Sequence, residues 1–162
     1  MKRPRRTLAI DPTAKGFAWV VLEGRETLVD WGTAQVTPAS LPRVRARVRR
    51  LISRSRPELL VLEEPEGSRR GRRARRIIRA LADLADRDNV AWCMVTREQV
   101  REAFGDPANK HEIARAVTEL VPELSHRIPP RRKAWMSEYE TMGIFDAASF
   151  ALTVLGSLDR TA

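Results

Sequence analysis

The sequence has only one cysteine and two histidines among its 162 residues. A lone cysteine excludes a disulfide framework and a cysteine-based zinc site, so we expect Cys93, in an apolar run, to be a small buried hydrophobic residue. His111 and His126 lack the spacing of metal ligands. Any metal in this chain is therefore predicted to have oxygen ligands.

Long apolar runs are also missing, because no stretch reaches the roughly 18 residues that a membrane-spanning helix requires. The basic N-terminus, residues 1–6, is followed by only a short apolar stretch that contains Asp11. This pattern does not predict a signal peptide, and we expect a cytoplasmic protein. A length of 162 residues predicts one domain, residues 1–162. It is too short for the two lobes of a sugar kinase or actin, and a glycine-rich phosphate loop is missing.

Positive charge is abundant, with 30 Lys and Arg against 21 Asp and Glu, a net charge of +9. Six arginines fall within residues 69–76, where a helix is expected to begin. They could form a solvated helix face, but such like charges repel one another, and we favour contact with a phosphate backbone. The candidates for nucleic-acid binding are Arg69, Arg70, Arg72, Arg73 and Arg76, with Arg131 and Arg132 in a later loop. Trp135 could stack on a base, but we expect it to pack against the fold, as aromatic residues more often do.

The hydrophobic pattern predicts three strands joined by tight turns, followed by alternating helices and strands. The strands are predicted at residues 7–11, 17–22, 26–31, 58–65 and 90–95. The helices are predicted from Ser40 (the N-cap) to before Pro57, after the arginine-rich segment, at 97–104, at 109–120, and from Met142 to about Leu158, with a loop at 124–133. This order implies an α/β fold, a mixed five-stranded sheet in which an antiparallel meander precedes the alternation, with helices on both faces.

Three acidic residues stand where open sheets place active sites: Asp11 and Glu63 end apolar strands, and Asp146 is near the start of the last helix. Each could be an ordinary turn, cap or first-turn acid. A buried acid needs a cationic partner, which could be an arginine or a metal. Converging carboxylates favour Mg²⁺ or Mn²⁺. Two such ions about 3.5–4 Å apart can support phosphodiester hydrolysis.

Four short motifs occur in a recognisable order along the chain. They are LAIDP at 8–12, VLEE at 61–64, VTREQVR at 95–101 followed by Gly105 and Lys110, and FDAA at 145–148. They resemble the conserved motifs of the RuvC-type Holliday junction resolvases, within the ribonuclease H-like superfamily. The order of elements resembles that family over nearly the whole chain.

The resemblance implies a ribonuclease H-like nuclease domain with magnesium-dependent, structure-selective endodeoxyribonuclease activity. It also implies a homodimer that cuts opposed strands of a four-way DNA junction. Asp11, Glu63 and Asp146 would be the metal ligands. Lys110 would be an auxiliary basic residue beside the scissile phosphate, although a solvated lysine near a helix N-terminus fits that position equally well.

The chain departs from the family pattern in three places, one of which is Thr13, where the first loop of the family favours glycine. A fourth acid three residues from the first on the last helix is missing, because Gly143 and Ser149 occupy the two possible positions. Glu138 or Glu140 could complete the set, or three acids could suffice. The aromatic residue that often follows the second acid is also missing. Two alternatives therefore stay open: a ribonuclease H-like nuclease acting on RNA or flapped DNA, and a non-catalytic nucleic-acid-binding module.

Overall fold

The computed structural model describes residues 5–36, 40–66, 70–107, 109–133, 135–136 and 139–161, with residues 159 and 161 described by their backbone alone. Five strands form one mixed sheet in the order β3-β2-β1-β4-β5. The strands are β1 (Arg6–Thr13), β2 (Gly16–Glu23), β3 (Thr27–Gln35), β4 (Leu59–Glu63) and β5 (Ala91–Val95). The pairs β1–β2 and β2–β3 are antiparallel, whereas β1–β4 and β4–β5 are parallel. The predicted meander and mixed five-stranded sheet are confirmed.

Helices cover both faces of this sheet, as predicted. They are α1 (Leu41–Ser55), α2 (Arg72–Arg87), α3 (Arg97–Ala103), α4 (Lys110–Leu120) and α5 (Met142–Thr161), with a 3-10 helix at Pro122–Arg127. Apolar residues of α1 and α2 pack on one face, and those of α3, α4 and α5 pack on the other. Within the described ranges, no helix combines the length and apolar character needed to cross a bilayer.

Several predicted boundaries were wrong. β3 continues to Gln35 rather than Trp31, because its pairing with β2 extends to the partners Gly16 and Gln35. The predicted loop at 124–133 begins inside the 3-10 helix, which the fully buried Leu124 anchors. Ser40 occupies the N-cap of α1 as predicted, but its side chain makes no capping hydrogen bond. Cys93 is only half-buried, because β5 is an edge strand.

The parallel register of β1 and β4 places two acids side by side. Ala9 of β1 is the partner of Val61 of β4. Asp11 and Glu63 each lie two residues further along, so their side chains leave the same face at the same end of the sheet. Sequence alone predicted this arrangement on the condition that the two strands are neighbours, and they are.

Helix α5 packs across β1 and β2, and a glycine in its first turn permits the close approach. A Cβ atom added at Gly143 would lie 2.9 Å from Cβ of Ala18, 3.1 Å from Cγ2 of Thr13 and 3.3 Å from Oδ2 of Asp11. Asp146 follows three residues later, on nearly the same face of the helix. The close approach therefore brings Asp146 to the acids of β1 and β4.

Candidate active site

Three carboxylates meet at the carboxyl ends of β1 and β4. Asp11, Glu63 and Asp146 are 3%, 1% and 4% exposed. All three line an open cavity of about 1210 Å³, together with Lys110. The four residues predicted from the sequence to form the catalytic centre are thus brought together in space.

Arg70 lies between the first two carboxylates. Its Nη2 donates to Oδ1 of Asp11, and its Nε donates to Oε2 of Glu63. Its Nη1 donates to the backbone oxygen of Pro12 at 2.9 Å. One guanidinium therefore bridges the ends of both strands, with only 17% of the side chain exposed.

Arg97 and Lys110 contact the second oxygen of Glu63 and both oxygens of Asp146. The Nε of Arg97 donates to Oε1 of Glu63 at 2.8 Å, and its Nη1 donates to Oδ1 of Asp146 at 3.1 Å. The Nζ of Lys110 donates to Oδ2 of Asp146 at 3.1 Å. Three cations thus face three carboxylates, so the formal charge of this group is balanced.

The two aspartates differ in acidity. Burial, reinforced by the nearby charge of Asp146, raises the pKa of Asp11 to about 7 despite the contact with Arg70. Burial also acts to raise the pKa of Asp146, but Arg97 and Lys110 outweigh it and hold that pKa below its ordinary value. The same carboxylates raise the pKa of Arg97, which stays charged. Asp146 is therefore the carboxylate whose charge is compensated better, and Asp11 is the one that a further cation would stabilise more.

The chemistry of this donor set fits a hard divalent cation, because three buried carboxylates supply only oxygen ligands. The distances between these carboxylates, however, do not fit a bound metal. Among the described residues, no three acidic, histidine or cysteine side chains are grouped closely enough to hold a metal. The guanidinium groups of Arg70 and Arg97 lie between the carboxylates. Any cation that Asp11 and Glu63 held together would therefore compete with Arg70.

The structure narrows the choice of residues that could supply a fourth acidic ligand. Gly143 has no room for a side chain. Ser149 is buried, and its hydroxyl donates to the backbone oxygen of Asp146 at 2.7 Å. Glu140 lines the cavity, and its Oε1 is buried without a hydrogen bond, 4.0 Å from Nζ of Lys15. Glu138 lies outside the described residues. Glu140 is therefore the described acid that remains a candidate.

The predicted nucleic-acid contacts fall into two groups around the cavity. Arg72, Arg73 and Arg76 are exposed in the first two turns of α2. Arg131 and Arg132 are exposed in the loop before α5, and Arg132 lines the cavity. Arg70 instead lies inside the acidic cluster, and Arg69 lies outside the described residues.

Trp135 lies in that loop beside Arg131 and Arg132. The expectation that it packs against the fold was wrong, because it is 79% exposed. Nζ of Lys133 lies 5.7 Å from the centre of its ring. The loop therefore presents an aromatic face among positive charges.

Sequence reasoning missed the role of Arg97. The parallel pairing of β4 with β5 indicates this role, because Val95 at the end of β5 is the partner of Glu63. The residues after β5 therefore lie beside Glu63. A capping box formed by Thr96 and Gln99 fixes the start of α3, which places Arg97 in the first turn of that helix.

The sheet order and the layers of helices give the fold seen in solved structures of Holliday junction resolvases. The Thermus thermophilus RuvC structure is similar with a TM-score of 0.70 and 21% identity, over 97% of this chain and 98% of that chain. The T. thermophilus RuvC structure in complex with Holliday junction substrate is similar with a TM-score of 0.71 and 21% identity, over 98% of both chains. Yeast mitochondrial Holliday junction resolvase Ydc2 is similar with a TM-score of 0.62 and 12% identity, over 99% of this chain and 82% of that chain. The sequence matches no family model and no curated protein. The resemblance drawn from the motifs is confirmed at the level of the fold.

Proposed function

We propose that the protein is a metal-dependent, structure-selective endodeoxyribonuclease that resolves four-way DNA junctions, with residues 1–162 acting as one nuclease domain. The observation that carries this proposal is the convergence of Asp11, Glu63 and Asp146, all buried, at the edge of a cavity bordered by arginines. Carboxylates gathered in this way on a protein of net charge +9 suit a metal site that acts on a polyanion. The T. thermophilus RuvC and the fowlpox virus resolvase were each solved with Holliday junction DNA, which supports this choice of substrate.

Asp11, Glu63 and Asp146 would hold Mg²⁺ or Mn²⁺, which supplies an activated water and stabilises the leaving oxygen during phosphodiester hydrolysis. The reaction adds the oxygen of water to phosphorus and breaks one phosphorus–oxygen bond of the DNA backbone. Lys110 contacts Asp146 at 3.1 Å and is 41% exposed in its side chain. Its ammonium group can therefore reach a phosphate at the cavity while it stays close to the carboxylates.

The bound DNA would be held by charge on both sides of the cavity. Arg72, Arg73 and Arg76 present their side chains along the start of α2. Arg131 and Arg132 present theirs from the loop before α5, where Trp135 offers a stacking surface. Contacts with phosphates position the substrate without reading its sequence, which suits an enzyme that recognises branched shape.

A non-catalytic DNA-binding module is the second candidate. The observation that favours it is the pairing of every site carboxylate with Arg70, Arg97 or Lys110. Such pairing satisfies the buried charges without any metal. The module would retain the basic surfaces and lack hydrolysis.

Cleavage of a substrate panel separates these functions. Labelled four-way junction, duplex, flap and RNA–DNA hybrid would each be incubated with Mg²⁺, with Mn²⁺ and with chelator. We expect paired nicks in the junction alone and only with metal. Preferential cleavage of RNA or of flapped DNA would favour a ribonuclease H-like enzyme, and tight binding without cleavage in either metal would favour the module.

The variant Asp11→Asn tests the role of the carboxylates. We expect it to lose cleavage by more than about 100-fold, because a neutral amide is a poor ligand for a hard cation. Its affinity for the junction should stay within a few-fold of wild type. Asp83→Asn, the same change at an exposed position of α2, is the matched control. Cleavage retained in Asp11→Asn would contradict the metal role.

We propose that the active form is a homodimer, because two symmetric nicks in opposed strands need two active sites related by a two-fold axis. Light scattering coupled to size-exclusion chromatography should give twice the mass of one chain. A monomer at the concentrations that support paired nicking would contradict this proposal.

A further inference from the structure

The two arginines in the acidic cluster are held very differently. Arg97 is in the first turn of α3, whose start the capping box fixes. Its guanidinium lies 5.0 Å from the centre of the Phe150 ring, and it contacts both Glu63 and Asp146. Helix, ring and two carboxylates thus fix Arg97 from several directions, as a permanent countercharge.

Arg70 has no such support from regular structure. It precedes Gly71, the N-cap of α2, and therefore lies outside any helix or strand. Its hydrogen bonds to Asp11, Glu63 and Pro12 reach the ends of β1 and β4. Arg70 can exchange these contacts for others by moving its side chain on an irregular segment, and no helix has to be disturbed.

Arg70 occupies one oxygen of each carboxylate that would hold a metal at the ends of β1 and β4. Oδ1 of Asp11 and Oε2 of Glu63 each accept from its guanidinium. A divalent ion that entered with Arg70 in place would add two positive charges to a balanced cluster and would compete for the same oxygens. The ion and Arg70 therefore exclude each other.

We propose that in the DNA-free protein Arg70 occupies the cation position between Asp11 and Glu63, and that a divalent metal binds there only after Arg70 has left. This proposal rests on the proposed nuclease function. Arg70 leads directly into the exposed arginines Arg72 and Arg73, which face the expected path of the DNA. A backbone phosphate at the cavity gives its guanidinium a bidentate alternative partner. DNA binding therefore draws Arg70 out of the cluster and raises the affinity for metal, so that the site is completed when substrate is present.

The affinity of DNA-free protein for Mn²⁺, measured by calorimetry and by electron paramagnetic resonance of the free ion, tests this proposal. If Arg70 vacates the position less than about a tenth of the time, Arg70→Gln binds Mn²⁺ at least about tenfold more tightly than wild type. Arg70→Lys keeps the charge but cannot bridge three acceptors, and we expect an intermediate affinity. Arg101→Gln is the matched control, because Arg101 lines the same cavity yet pairs with Asp106 rather than with the site carboxylates. It should bind Mn²⁺ within about twofold of wild type.

Each outcome bears on the inference. Equal Mn²⁺ affinities for wild type, Arg70→Gln and Arg70→Lys would overturn it, and so would an equal gain in Arg101→Gln. Adding Asp11→Asn to Arg70→Gln should abolish the gain, and a gain that persists would place the metal elsewhere. Circular dichroism spectra and melting curves of each variant exclude misfolding. The junction cleavage assay on wild type is independent, so metal-dependent cleavage with equal affinities would refute the role of Arg70 and leave the nuclease function standing.

Discussion

Asp11 is 3% exposed, and it lies near Asp146 as well as against Arg70. Burial and the second carboxylate raise its pKa to about 7, although Arg70 acts in the opposite direction. The free protein therefore keeps an ionisable group under electrostatic stress at the end of β1. Such a site is suited to binding a cation and is a cost to the stability of the metal-free fold.

We predict that Asp11→Asn stabilises the metal-free protein at pH 8 and that the gain disappears near pH 4. The pKa of Asp11 is raised on folding, from 3.8 to about 7. The folded state therefore holds the proton more tightly, and stability is lost as the pH rises through this window. The amide removes that loss, and the expected gain at pH 8 is roughly 1–3 kcal/mol. Urea unfolding in chelator at both pH values measures it.

Asp83→Asn provides the control for this measurement, since Asp83 is exposed on α2. The difference in the free energy of unfolding between Asp83→Asn and wild type should be similar at pH 4 and pH 8. A destabilised Asp11→Asn protein at pH 8 would show instead that the pairing with Arg70 dominates the energy of Asp11.

At the scale of the elements, the site depends on how closely α5 approaches β1 and β2. Gly143 sets this distance, because an added Cβ would lie 2.9 Å from Cβ of Ala18. The helix carries Asp146 at a fixed offset from that contact, so a change in the approach of α5 moves Asp146 relative to Asp11.

Gly143→Ala should destabilise the protein by about 1–3 kcal/mol, because the added methyl group overpacks the contact between α5 and the sheet. It should also lower junction cleavage, since Asp146 shifts away from Asp11. Gly156→Ala in the same helix is the control, because a Cβ there meets only the end of the Arg25 side chain, 3.4 Å from Nη2. Thermal melts and the cleavage assay measure the two effects. Wild-type stability and cleavage in Gly143→Ala would show that α5 adjusts without disturbing the site.

The elements and their order could be predicted because they depend on local patterns. The apolar run of β4 and the helical spacing in α1 and α2 are such patterns, and the convergence of Asp11 with Glu63 followed from strand order. The partners of these acids could not be predicted, because they depend on which side chains reach across the cavity. Arg70 was read as a DNA contact, yet it contacts Asp11 and Glu63. Trp135 was expected to pack against the fold but is 79% exposed, because the sequence does not reveal which loop lacks a packing partner.

At the scale of the whole molecule, the cations behind the net charge of +9 have different surroundings. Arg70, Arg97 and Lys110 form ion pairs with the site carboxylates. Both α1 and α2 carry further exposed arginines, among them Arg47 and Arg50 on α1 and Arg72, Arg73 and Arg76 on α2. Arg73 lines a smaller pocket that shares Pro12, Thr13, Ala14 and Arg70 with the site cavity, so we expect α2 to contribute more than α1 to DNA binding.

Replacing Arg72, Arg73 and Arg76 with glutamine should weaken junction binding and reduce the slope of log affinity against log salt by about 2–3, since each lost phosphate contact contributes about 0.9. The control replaces Arg43, Arg47 and Arg50, which are exposed on α1. It removes the same charge from another surface and should change the slope by less than about 1. Fluorescence anisotropy with labelled junction at several salt concentrations measures both. Equal effects of the two triple variants would indicate a response to net charge rather than a defined DNA path.

The balanced group of three carboxylates and three cations has a consequence for the life of the protein in a cell. Because Arg70, Arg97 and Lys110 pair with the buried acids, we expect the chain to fold without an ion from solution. Degradation follows the population of unfolded chains, so, where Arg70 holds this position in place of a metal, scarcity of magnesium or manganese would not shorten the lifetime of the protein. On the function proposed above, molecules made during scarcity would persist as an intact reserve and would need no new synthesis when metal returns.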